Sequence, residues 1–273
     1  MYKKKLNTNN KHKVFAIANQ KGGVGKTTTT INLATGLAAV GLKILLIDLD
    51  PQGNASTGLG FEKNERQVNS YSLISGASKL TESIKNSKIP NLDIVVATVD
   101  LLGAEIELID KEKRGFQLDE AIKQFNDDST YDYILIDCPP ALGILTLNAL
   151  TAADAVLVPL QCECFALEGL SQLMKTLEMV RLTFNPSLKL DGIILTMFDK
   201  RNNLSEQVAE DARKNLGSTV FDTVIPRNVR VSEAPSHGIP ALVYDYKCSG
   251  SVAYMNLAKE FIERESNFFN KSH

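Results

Sequence analysis

The sequence predicts an α/β protein of three layers, with helices covering both faces of a mostly parallel, doubly wound sheet. Short β-branched runs recur at Val14–Ala18, Ile44–Asp48, Ile94–Ala97, Tyr133–Asp137, Ala155–Leu160 and Gly192–Met197, with a shorter one at Thr223–Ile225. Near-continuous apolar runs of this kind suit strands buried on both faces, as in parallel sheets. Helical patterns with recognisable ends lie between them. Thr28–Val40 stops at Gly41, and Leu167–Leu182 stops before Asn185-Pro186. Leu204–Leu216 follows an Asn202-Asn203 cap and ends at Gly217. Strand and helix alternating along the whole chain give the doubly wound arrangement. Phe61–Pro90 is less regular and is expected to be helical, at the edge.

No repeat, low-complexity tract or Gly/Ser linker divides the 273 residues. We therefore expect one domain over 13–267, between a basic arm over 1–12 and a short tail over 268–273. A domain of this size hides roughly three quarters of its unfolded surface. Apolar residues at 44% and charged residues at 23% exclude disorder, collagen and disulfide scaffolds. Thirty Lys and Arg against 32 Asp and Glu leave a formal charge of −2, so any nucleic-acid contact needs a local basic patch. The uncharged stretch Cys138–Ala153 is too short to span a bilayer and carries Pro139-Pro140. The N-terminus has lysines but no apolar core of a secretory signal, and four cysteines without framework spacing suit a reducing compartment. These features point to the cytoplasm.

In open α/β sheets ligands sit at the carboxyl ends of strands, and three strand ends here carry chemistry. Val14–Ala18 runs into Asn19-Gln20-Lys21-Gly22-Gly23-Val24-Gly25-Lys26-Thr27-Thr28 and then a helix. Glycines let backbone amides wrap a phosphate chain without Cβ clashes, and the helix N-terminus adds partial positive charge. Lys26 would reach the β- and γ-phosphates of ATP, and the Thr27 hydroxyl would ligate Mg²⁺. The pattern departs from the standard phosphate loop: Gln20 stands where a glycine is usual, and a second lysine, Lys21, comes early. The alternative is a glycine-rich turn before a helix. The second strand ends in Asp48-Leu49-Asp50-Pro51-Gln52-Gly53-Asn54, and the strand over Tyr133–Ile136 ends in Asp137. Alone, either carboxylate could be a helix cap. Beside a phosphate loop, Asp50 is expected to position the attacking water and to reach Mg²⁺ through its water shell. Asp137 is expected to bind Mg²⁺ in the Walker B manner, and Asp48 to lie behind them.

Lys21 to Thr27 together with Asp48 to Asn54 resembles the deviant Walker A ATPases, on the αβα P-loop NTPase fold. Val224-Ile225-Pro226-Arg227-Asn228-Val229-Arg230-Val231-Ser232-Glu233-Ala234-Pro235-Ser236-His237-Gly238 narrows the resemblance to the chromosomal ParA/Soj branch. The resemblance spans nearly all of 13–265. It implies a partner-stimulated ATPase that dimerises around ATP, binds double-stranded DNA without sequence preference, associates with the nucleoid and works with a ParB-type centromere-binding protein. It further implies that Lys21 crosses the dimer interface to the partner's nucleotide and that Gly22 sits where two subunits approach. Lys21, Lys26 and Asp50 would support hydrolysis. The loop from Lys21 to Thr28 would hold the phosphates, and Pro226 and Asn228 would lie near the adenine. Lys200, Arg201, Arg227 and Arg230 match the DNA-contacting cluster.

Residues 200–230 carry six basic residues, but Glu206, Glu210, Asp211 and Asp222 interleave, so a merely solvated helix face is the alternative. The arm with its lysines could meet the partner or DNA, or be a solvated tail. Cys162-x-Cys164 lacks a second pair at ligand spacing and reads as packing. His237 reads as structural. The terminal helix over Ser251–Phe269 has an apolar stripe, as membrane-bound MinD relatives do. Glu260, Glu263 and Glu265 offset Lys259 and Arg264, however, so no stable membrane association is expected. Two rivals to the partition reading are a MinD-like positioning ATPase and an ATP-dependent ligase on the same fold.

Overall fold

Successive residues of a buried strand point to opposite faces, and here each face meets its own helical layer. The computed structural model describes residues 12–125, 131–163 and 165–271. Its sheet comprises β1 (Lys13–Ile17), β2 (Ile44–Asp48), β3 (Ile84–Asn86), β4 (Leu92–Val95), β5 (Tyr133–Asp137), β6 (Ala155–Gln161) and β7 (Lys189–Thr196), in the order β3-β4-β2-β5-β1-β6-β7. All pairings are parallel except β3 with β4. Phe15, Ile17, Ile44 and Leu46 pack on one face with Leu33 and Leu37 of the helix Lys26–Ala39 and with Tyr254, Leu257 and Phe261 of the helix Ser249–Lys271. Val14, Ala16, Leu45 and Ile47 face the other layer, built from Ile144–Ala152, Ala166–Thr183 and Asn203–Leu216. Each fully buried leucine or phenylalanine contributes about 1.5–3 kcal/mol, so the layers, rather than local propensity, hold these helices.

The six long predicted runs form strands within a few residues. Thr223–Ile225 does not. The Phe221 and Ile225 amides bond to the Ile193 and Leu195 carbonyls of β7, but only isolated bridges form. Glu260, on the terminal helix, accepts the Asp222 and Thr223 amides at 2.8 Å each and draws the intervening residues away from the sheet. Phe61–Pro90 holds short helices at Ser70–Ser75 and Leu80–Ser83 as expected, and also β3, an edge strand the reading did not foresee. His12, expected in the arm, is buried beside Phe125. The rest of the arm, Cys164 and the last two tail residues lie outside the described residues.

The terminal helix spends its apolar face on the core. Ala258 comes so close to Gly36 that a Cβ there would lie 2.9 Å from it. Among the described residues no helix is long and apolar enough to cross a membrane.

Candidate active site

The register of the central strands sets three carboxyl ends side by side. Ile17 pairs with Asp137, and Asp48 pairs with Asp137, so the loop after β1 and both aspartate-bearing ends share one edge. From β1 the chain turns through Gly23 and Gly25, both at positive φ (76° and 86°), and Gly25 caps the helix Lys26–Ala39 with no side chain over its amides. Gly22 and Gly23 are exposed, and a Cβ on either would meet nothing within 4 Å. The loop is braced from beneath. Asn19 donates to the Pro159 carbonyl at 2.7 Å and accepts the Lys21 amide at 3.0 Å. Thr196 donates to the Val24 carbonyl at 2.8 Å.

Lys26 is buried, and its Nζ donates to the Lys21 carbonyl at 2.9 Å, across the mouth of its own loop. Burial pushes its ammonium below the ordinary value against the pull of Asp137. Asp137 is fully buried; Thr30 donates to its Oδ1 at 3.0 Å, while Oδ2 has no hydrogen-bond partner among the described residues. Burial, then repulsion from Asp48, pushes this carboxyl well above the usual range, and the Thr27 and Thr30 hydroxyls pull the other way. A buried carboxylate oxygen left unpaired beside a hydroxyl and an ammonium is costly without a ligand. Hard oxygen donors next to open glycine backbone fit a magnesium-bound phosphate chain.

Asp50 is buried and accepts the Gln52 amide at 3.0 Å. Asp48 is turned away from the loop edge. Its Oδ2 accepts the Ser56 amide at 2.8 Å and the Ser56 hydroxyl at 2.7 Å, and Oδ1 accepts the Asp50 amide at 3.2 Å. Burial raises it to about 6 despite those bonds. Arg66 completes this brace. It is buried and donates to the Gly53, Ala97 and Phe61 carbonyls and to the Thr57 hydroxyl, at 2.7–3.3 Å. Gly53 must be glycine: its φ is 61°, and a Cβ would strike the Arg66 guanidinium and lie 2.9 Å from the Ala97 carbonyl oxygen. Sequence reasoning missed Ser56 and Arg66. Arg66 stands in the polar run Glu62–Gln67, which looks like solvated surface.

Pro226 and Asn228 line a cavity of about 430 Å³ together with Gly25, Thr28, Met197 and Tyr254, so they border the phosphate loop. The Asn228 amide is engaged: Oδ1 caps Val231 at 3.3 Å and Nδ2 donates to Ser249 at 2.9 Å. Lys200, Arg201 and Arg227 border a neighbouring cavity of about 670 Å³. Arg201 is held by Asp199 at 2.9 and 3.0 Å, which draws that carboxyl down to about 2. Arg230 pairs with Glu233 at 3.1 Å and with Asp245 at 3.8 Å. Lys200 and Arg227 are exposed and have no ion pair among the described residues. Lys21 is turned back onto its own chain, in an ion pair with Glu163 after β6, a partner the sequence did not reveal. Cys162 is buried, with its thiol pushed up to about 11 by burial, and His237 stacks on Tyr244.

A mostly parallel sheet with a glycine loop leading from its central strand into a helix, and with aspartates at the flanking strand ends, is that of a P-loop NTPase. The AAA-domain family matches residues 12–190. The chain is 56% identical over 253 residues to the chromosome partitioning protein ParA of Caulobacter vibrioides, covering 93% of this chain and 95% of that one. It is 50% identical to the sporulation initiation inhibitor protein Soj of Bacillus subtilis, covering 91% and 97%. The chain thus belongs to the ParA/Soj family of chromosome-partitioning ATPases. Among solved structures it resembles a cobyrinic acid a,c-diamide synthase from Mycobacterium smegmatis with bound ATP analogue and magnesium (TM-score 0.80, 35% identity, 92% and 94% covered). It also resembles the Pyrococcus furiosus cell division ATPase MinD (TM-score 0.76, 27% identity, 92% and 98% covered).

Proposed function

We propose that this chromosome-partitioning ATPase is a dimerisation switch: ATP joins two copies face to face, the dimer holds DNA without sequence preference, and a ParB-type partner accelerates the hydrolysis that releases it. The observation that carries the reading is the position of Lys21. Its side chain is 46% exposed at the rim of the loop, beside a bare Gly22, and among the described residues its ammonium is held by Glu163 alone, at the surface. An exposed ion pair of this kind contributes about 0–1 kcal/mol. The phosphates of a second copy's ATP carry more negative charge than a single carboxylate. ATP then binds the dimer better than the monomer, which is what a population shift requires.

In this reading the amides from Lys21 to Thr28 and the Lys26 ammonium hold the phosphates, and Pro226 and Asn228 wall the base. Thr27 and Asp137 would hold Mg²⁺, with Asp50 near its water shell; the ion would neutralise charge on the phosphates. Asp50 orients water toward the terminal phosphate, held in place by the turn that Arg66 and Asp48 brace. Of the four predicted contacts, Lys200 and Arg227 have no ion pair among the described residues and are free for DNA phosphates, and dimerisation doubles them.

The buried apolar face of the terminal helix argues against a MinD-like membrane role. DNA retention with ATP, ADP and no nucleotide, at two salt concentrations, tests the proposal. Retention with ATP alone and a steep salt slope is expected; equal retention in all three states would contradict it. Turnover that requires a small-molecule acceptor would favour the ligase reading instead.

A further inference from the structure

Three residues past Val96, which follows β4, the chain reaches a surface that the ATP site does not use. The helix Leu101–Glu107 has two apolar faces. Leu101, Ala104 and Leu108 are buried in the core. Leu102 and Ile106 on the helix, with Val99 and Ile109 in the turns at its two ends, continue a three-, four- and three-residue spacing away from the core and are 49%, 73%, 63% and 57% exposed. Single exposed aliphatic residues are ordinary, but four in one stripe along a short helix and its end turns mark an interaction surface.

The charge around the stripe is mainly acidic, although Arg114 donates to the Ile109 carbonyl at 3.1 Å at one end. Val99 to Glu112 contains five acids and one lysine. Asp110 and Glu112 are exposed, and among the described residues neither has an ion pair. The nearby lysines are occupied: Lys111 donates to the Ser75 carbonyl at 2.8 Å, and Lys113 pairs with Glu120 at 3.2 Å. An apolar stripe with acidic borders repels DNA and anionic lipid, and a second copy would bring the same acids. It fits a segment whose aliphatic residues are flanked by Lys or Arg.

Occupancy here can reach the catalytic turn. The Ala97 amide donates to the Ser56 hydroxyl at 2.9 Å, and the Ala97 carbonyl accepts Arg66 at 3.0 Å. Ser56 holds Asp48, and Arg66 holds the Gly53 carbonyl in the turn that begins at Asp50.

We propose that the Val99–Ile109 stripe docks a basic, amphipathic segment of the partition partner, and that docking is relayed through Ala97 to the Asp50 turn. The inference rests on the partner-stimulated switch proposed above. Its test uses the full chain and two variants, Leu102→Ser/Ile106→Ser and Asp110→Lys/Glu112→Lys, titrated with the purified ParB-type protein of the same organism. All four side chains are exposed, so basal ATPase and ATP-dependent dimerisation should stay within about twofold of the parent. The concentration of partner for half-maximal stimulation should rise at least about tenfold in both variants. If both respond to the partner as the parent does, the docking proposal is overturned and the switch stands. If the parent itself is not stimulated, the switch reading fails and the inference falls with it. Loss of ATP-dependent dimerisation in the serine variant would assign the stripe to a second copy and also overturn the proposal.

Discussion

The phosphate loop and the basic surface over 199–230 meet at Pro226 and Arg227, which line both neighbouring cavities, yet they are built on different physics. The loop is a backbone device. Its amides, its positive-φ glycines and the helix behind it depend on residue types at fixed local spacing. The basic surface is a side-chain device whose strength depends on which acids fold beside it. Asp199, Glu233 and Asp245 fold beside Arg201 and Arg230, leaving Lys200 and Arg227 as the members of the predicted four with no ion pair among the described residues. Charge counted along a sequence overstates charge offered by a surface.

The sharpest way to break this comparison is at Gly22, where the loop should matter between chains but not within one. Its φ is not positive, and a Cβ would meet nothing within 4 Å. Gly22→Val should leave the melting temperature of the isolated chain within about 2 °C of the parent and abolish ATP-dependent dimers. Dimers of parental affinity, seen by sedimentation, would remove Gly22 from the interface. Next in size is Asp50→Ala, expected to lower turnover by at least about 100-fold while ATP-driven dimers and DNA retention persist. Loss of all three together would assign Asp50 to nucleotide binding or folding instead of water positioning.

These two positions also mark what was readable. Lys21 to Thr28, Asp50 and Asp137 stood out because chain-local patterns and strand ends specify them. The six long strands were legible as buried apolar runs. Arg66 and Ser56 carry no pattern; their importance comes from carbonyls and a carboxylate contributed by 48–61 and Ala97. Glu163 reads as an ordinary loop acid until β6 is set beside β1. Helix Ile144–Ala152 was hidden for a different reason: buried nearly all round, it has no polar face to give it a period. β3 is three residues, Ile-Lys-Asn, too short and polar to announce a strand.

A smaller effect probes the brace beneath the site. Asp48 is raised to about 6 by burial, so the folded chain binds that proton more tightly than the unfolded one does. Its contribution to stability is present below about pH 4 and is lost as pH rises through about 6. Asp48→Asn should therefore reduce the fall in stability across that window in nucleotide-free protein. A denaturant series giving parallel pH profiles for parent and variant would contradict the buried, raised carboxyl. The smallest effect separates the cations. Lys200→Ala and Arg227→Ala each remove two contacts per dimer and should lower the salt slope of DNA binding by about 1.8, whereas Arg201→Ala and Arg230→Ala should change it less. Four equal changes would mean that the ion pairs open on DNA.

The central claim is that Lys21 leaves Glu163 for the phosphates of a second copy. Light scattering on the Asp50→Ala chain with saturating ATP and magnesium, with and without Lys21→Ala, tests it most directly. The account predicts a dimer that reverts to monomer when Lys21 is removed. A chain that stays monomeric with ATP, or a dimer indifferent to Lys21→Ala, would contradict it.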